Sequence, residues 1–282
     1  MSPVCGVKDV PGYSKGNTIR LMSTITESRP VAVGAIAGQR FYVRMAAVFV
    51  AVAVIGFAPT YWVPLSQGTL DVPPISHLHA LLFYGWTLLL LRQTWLAASG
   101  EMRRHRELGV LGVTLATAML FVGLNAAVTS IRRGEAAGFG DAARAFSIVS
   151  VTAIGLFTVL VAIAIVNVRK PEVHKRLMLV ATASILQAAV GRWFLLFLAP
   201  PRPPGVTVAM PPPLFVTVLP GLLVDLLIVA GMIHDRRTIG RIHPVYWIAG
   251  ACVVAVQVLR VPISSTAAWG HVVQALLAFF PR

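Results

Sequence analysis

Residues 146–176 read FSIVSVTAIGLFTVLVAIAIVNVRKPEVHKR. From Phe146 to Val168 no side chain is charged, and the run then breaks on Arg169 and Lys170. A helix rises 1.5 Å per residue and the hydrocarbon core of a bilayer is roughly 30 Å thick, so about 20 apolar residues make one crossing. The stretch meets that length and closes on cations, as a membrane span does where it reaches the headgroups. The same test applied outward along the chain finds seven spans, at approximately 42–63, 77–98, 108–129, 146–168, 175–199, 213–233 and 244–263. The expected fold class is all-α, a polytopic membrane helical bundle of about seven transmembrane helices.

Composition agrees with that expectation. Of 282 residues, 57% are hydrophobic and 12% charged, and the mean hydropathy is +0.78, which excludes an ordinary soluble surface. A formal net charge of +14 would point to nucleic acid in a soluble protein. Here most of the 24 Lys and Arg lie in short runs between apolar segments. Their expected partners are the lipid bilayer and its anionic headgroups, not nucleic acid. Cys5 and Cys252 are too few and too far apart for a disulfide framework. The domain plan starts with 1–40, a polar, disordered cytoplasmic tail without the apolar core of a secretory signal, in which Met22 is an alternative start to Met1. The transmembrane domain covers 41–263. Residues 264–282 follow as an amphipathic interfacial tail, its helical stretch 266–280 being too short to span.

Orientation follows from the cations of the short connections, which are retained on the cytoplasmic side. The stretches up to Arg44, from Arg92 to Arg106, from Arg169 to Arg176 and from Arg236 to Arg241 hold 17 of the 24 Lys and Arg. The alternate connections hold few: none in 64–76, then Arg132, Arg133 and Arg144, then Arg202. The expected localisation is therefore a bacterial inner membrane, with the N-terminus cytoplasmic and the C-terminus outside. Tyr61, Trp62 and Trp193 fall at the outer boundary and Tyr42, Trp95, Tyr246 and Trp247 at the inner one, where amphipathic rings prefer to lie. Gly112 with Ala116, and Gly123 with Ala127, put small residues four apart on the third span, which allows close helix approach.

Ionisable groups within spans are costly, so function is sought there first. His77 and His79 open span two in ISHLHALLFYGW. At i and i+2 they point about 200° apart on a regular helix, which aims one at the bundle and the other at the rim. Arg92 reaches the inner headgroups by snorkelling. Arg192 follows His174 by 18 residues, roughly 27 Å along a helix, and shares the outer level with His77 and His79. Asp225 lies about 8 residues, roughly 12 Å, from the inner end of span six, too deep for a carboxylate to reach water, and is expected to face the bundle. On the inner side RRHRELG (103–109), RKPEVHKRLM (169–178) and HDRRTIGRIHP (234–244) each set a histidine among cations at a helix end. His105 and His174 stand at one level, where two facing imidazoles clamp a haem iron or supply half of a small metal site. His234, Asp235 and His243 are candidates to complete that cluster. The alternative for all of these is a basic collar at the lipid interface.

These blocks, HLHALLFYGWTLLLLRQTWLAASG, RRHRELG, HKRLMLVA with the following GRW, and Asp225 before GRIHP, resemble those of a group of uncharacterised bacterial multi-pass inner-membrane proteins over most of 41–250. The resemblance implies seven helices and no activity. A fainter likeness is to transmembrane b-type cytochromes, in which histidine pairs on alternate helices hold haem at two levels. It implies haem between His105 and His174, but no second pair, because 146–168 contains no histidine to face His77 or His79. The leading functional expectation is a His-dependent haem- or metal-binding redox protein, a membrane oxidoreductase. His105 and His174 are its cofactor-binding residues and His77 or His79 an outer metal or polar site. The competing expectations are a small-solute or proton transporter using Asp225, Arg192, Asn125 and Gln187, and an accessory subunit packed against other membrane subunits.

Overall fold

The computed structural model describes residues 33–198 and 210–281, with side chains from Arg40. The expected disordered tail over 1–40 lies almost wholly outside the described residues. Seven helices are long and apolar enough to cross a membrane, and among the described residues there is no strand. In chain order the helices are α1 (Val33–Phe57), a short α2 (Val63–Ser66) that continues it through a π turn at Ala58–Trp62, α3 (Pro74–Ala98), α4 (Met102–Ala136) and α5 (Gly140–Val166). They continue with α6 (Pro171–Leu198), α7 (Val218–Ile239), α8 (Pro244–Ile263) and a short α9 (Ala267–Phe279). Prolines open α3, α6 and α8 at the first helical position, where the missing N–H costs nothing. Gly100, Gly138 and Gly240 take a positive φ at the connections that follow α3, α4 and α7.

The expected span at 108–129 sits inside a 35-residue helix. The extension at its start carries Arg104 bonded to Glu101 at 2.6 Å and Arg103 to Glu107 at 3.4 Å, pairs that support a solvated helical turn. Helices α1, α3, α4, α5 and α6 pack in that order into a ring, α6 closing it against α1, while α7 and α8 lie against the outside of α6. Helix α6 can be central because its middle is small: Ala181, Thr182, Ala183, Ser184 and Ala189 are buried and let neighbours approach from several sides. The interior of the ring is filled by Trp86, Met119, Phe157 and Val180, with Trp86 Nε1 donating to Thr182 Oγ1 across it at 3.1 Å.

Where helices meet closely a glycine is present. A Cβ on Gly56 would fall 2.5 to 2.7 Å from Ala189, and one on Gly134 would fall 2.4 Å from the Cβ of Ala143. The small-residue row on α4 is part of this packing, Gly123 lying against Ile154 of α5 and Gly112 against Leu89 of α3. The stretch expected to be interfacial forms α9. It buries Trp269 and Val273 against Ile131 and Ile148, and its Trp269 Nε1 donates to the Arg144 carbonyl at 3.0 Å.

Candidate functional site

Three polar levels are built on this frame. The first is the end of the bundle at which α4, α6 and α8 begin, called the near end below. His105 in the first turn of α4 and His174 in the first turn of α6 come together there, ring centroids 6.5 Å apart and ring planes at 88°. Each ring is held through Nδ1: that of His105 is 3.2 Å from the Gln93 carbonyl oxygen, and that of His174 is 2.9 Å from the Ala164 carbonyl oxygen. A carbonyl accepts only, so both Nδ1 atoms carry the hydrogen, and in the neutral ring the lone pair is on Nε2. This is the support that orients a metal-ligating imidazole and settles its tautomer.

Among the described residues no three His, Cys, Asp or Glu side chains gather as metal ligands. Gln93 of α3 adds a buried amide oxygen with no partner beside this pair, its Nε2 lying 3.9 Å from where a Cβ on Gly109 would be. Gln93 was not singled out from the sequence; only its place one turn before the end of span two hinted at it.

His234 and His243 do not join the pair, so the larger cluster expected from the sequence is corrected. His234 stacks on Phe41 of α1 at 3.9 Å. His243 caps α8, its Nδ1 accepting from the Val245 N–H at 3.2 Å. Burial pushes the His243 imidazole below its usual range, and the nearby Arg176 charge acts in the same direction. Asp235 turns inward instead, to an interaction hidden in the basic blocks. Arg176, 2% exposed, and Asp235, 1% exposed, form a two-pronged ion pair with Nε donating to Oδ2 at 2.8 Å and Nη2 to Oδ1 at 2.6 Å. Arg176 also binds Glu172 at 2.6 Å, and Asp235 accepts from the His243 backbone N–H at 3.1 Å. In a chain with ten acidic residues, an aspartate between His234 and Arg236 was the available signal.

The second level lies inside the spans, between α6, α7 and α8. Asp225 of α7 is buried and its Oδ1 accepts from Gln257 Nε2 of α8 at 3.3 Å. Arg260, one turn further along α8, donates to Gln187 Oε1 of α6 at 2.9 Å and to the carbonyl and hydroxyl oxygens of Thr217 at 2.8 Å. Asn125 is elsewhere, on α4, where its Oδ1 accepts from Thr129 at 3.4 Å. Gln257 and Arg260 lie on the buried, bundle-facing side of α8.

The third level is the opposite end. His77 is exposed and shares a 2.8 Å hydrogen bond with the Tyr61 hydroxyl, while His79 turns in to stack on Phe83 at 4.0 Å, its Nδ1 buried without a partner. The two thus point apart as the helical period requires. Arg192 lies with its guanidinium 5.2 Å above the Phe57 ring, and Arg92, near the other end, lies over Trp95 at 4.4 Å. No protein-family model, curated protein or solved structure matches the chain.

Proposed function

We propose that this integral membrane protein is a one-electron carrier that holds haem iron between His105 and His174. The observation that carries the reading is the paired imidazoles, ring centroids 6.5 Å apart and each tied through Nδ1 to a backbone carbonyl of a neighbouring helix, which would hold the group between them. When bound, haem supplies a reversible one-electron couple that no side chain of the chain provides. The residues themselves orient the two Nε2 lone pairs, and α3 and α5 hold the rings from behind. Arg106 and Lys175, beside the two histidines in sequence, are cations suited to haem propionates and unfavourable to a bare divalent ion.

In the same reading the near end faces the cytoplasm of a bacterial inner membrane, because it gathers the cation-rich connections, and its Lys and Arg meet anionic headgroups. The test is the visible spectrum and iron content of protein purified in mild detergent, before and after incubation with haem. A Soret band with stoichiometric iron, lost in both His105→Ala and His174→Ala while the far-UV helical signal stays, is the expected result. Absence of the band from the wild-type protein after haem incubation overturns the reading, as does stoichiometric copper or zinc in its place.

A further inference from the structure

Asp225, Gln257 and Arg260 are 8%, 3% and 1% exposed, and within the spans there is no bulk water to satisfy a polar atom left over. Three atoms are left over: Asp225 Oδ2, Gln257 Oε1 and Arg260 Nε. The first two are both oxygens. An ionised carboxylate only accepts and an amide oxygen only accepts, so with Asp225 charged neither can satisfy the other. These side chains are already joined through their other atoms, Gln257 Nε2 to Asp225 Oδ1 at 3.3 Å. That bond is one half of the two-bond ring in which a carboxylic acid and a primary amide pair. A single proton on Oδ2 supplies the other half, donating to Gln257 Oε1, and both orphaned acceptors are satisfied at once.

We infer that Asp225 carries a proton in the resting protein and, ringed with Gln257, forms a site that binds and releases a proton inside the span. The amide is held in place for this. A Cβ on Gly221, one turn before Asp225 on α7, would fall 2.8 to 3.0 Å from the Gln257 amide atoms, so the glycine is the space the amide occupies. The surroundings favour a neutral acid while leaving release feasible. Among the elements packed on α7, α8 presents Arg260, α6 presents the neutral Ser184 and Gln187 at mid-span with Arg176 and Arg192 towards its two ends, and α1 has no ionisable side chain between Arg44 and Tyr61. Arg260 gives its Nη donors to Gln187 and Thr217 and none to Asp225, so no cation neutralises the carboxylate in this arrangement. Its Nε–H, however, has no partner, and it follows Gln257 by one turn. The ionised state therefore has a counter-cation within the same network. On release the Oδ2–H bond breaks heterolytically, the charge stays on the carboxylate and the proton is taken up by a base at the membrane face, with no change of oxidation state; the inference does not rest on the haem reading.

Infrared spectroscopy of the purified full chain across a pH series tests it. At neutral pH the carboxylic-acid C=O stretch of one buried group is expected, absent in Asp225→Asn, shifted in Gln257→Leu, and replaced by carboxylate bands as pH rises. Asparagine reproduces the ring, its amide donating to Gln257 Oε1. Asp225→Asn should therefore melt within about 2 °C of wild type, and Asp225→Leu more than about 4 °C lower. The inference is overturned by a carboxylate band for Asp225 at neutral pH, by an acid band that never titrates over the range in which the protein stays folded, or by Asp225→Asn melting as low as Asp225→Leu.

Discussion

At the scale of single residues, the near end is held by charges that cancel out of sight of water. Removing one partner of a buried ion pair leaves the other as an uncompensated charge, which costs about 3–5 kcal/mol. Asp235→Ala is expected to destabilise the bundle by about that much, since it strands Arg176, while the double replacement Arg176→Met with Asp235→Leu costs less than Asp235→Ala alone. Thermal unfolding of the three proteins in one detergent measures the order. His243 supplies a pH-dependent contribution beside it. Its folded-state value is lowered by burial, so the unfolded chain binds the proton more readily and stability falls as pH drops through and below about 6.5. Protonation also removes the Nδ1 acceptor that caps α8. His243→Asn keeps a capping oxygen without the titration, and a melting temperature that declines less steeply from pH 8 to pH 5 than that of wild type is the expected outcome. The Arg176–Asp235 pair was not legible from the chain, because a basic block at a span end looks the same whether each cation meets lipid or an aspartate 59 residues away.

At the scale of helices, spans were readable because each must satisfy one condition of length and apolarity regardless of its neighbours. Their ends were less so. The span expected at 108–129 belongs to a helix of 35 residues, since bilayer thickness limits the apolar part of a helix and not the helix itself. Which small residues mark contacts also needed the fold: Gly56, in no small-residue repeat that stood out, is the point where α1 meets α6. Gly56→Ala forces a Cβ into the Ala189 backbone, and overpacking of this kind costs about 1–3 kcal/mol. Gly155 lies in α5 with nothing within 4 Å of its would-be Cβ. Gly155→Ala should leave stability unchanged or slightly raised, since alanine is the better helix former by about 0.8–1.0 kcal/mol. If the two variants unfold at the same temperature in a thermal melt, the close contact of α1 and α6 at Gly56 is wrong.

At the scale of the whole molecule, seven crossings carry the chain from one membrane face to the other, with histidines at both ends and a buried polar network between. On the proposed orientation, reporter domains fused after Ser99 and after Ile239 are active only as cytoplasmic reporters, and those fused after Ser66 and after Ala137 only as exported ones. The reverse pattern would invert the molecule. The sequence by itself determined the class, the number of crossings and the level of each ionisable group, because the bilayer imposes hydropathy and 1.5 Å per residue on every span separately. It also separated His77 from His79, since the angle between i and i+2 is a local property of a helix. Rotation about each helix axis and the choice of neighbours were decided only by tertiary packing. That step turned His105 towards His174, sent Asp235 to Arg176 instead of to the histidines, and set Gln257 against Asp225 across Gly221. Lipid is as apolar as the side chains it touches, so hydrophobicity cannot say which face of a span looks inward. Small-residue contacts and the need to satisfy buried polar atoms decide it instead.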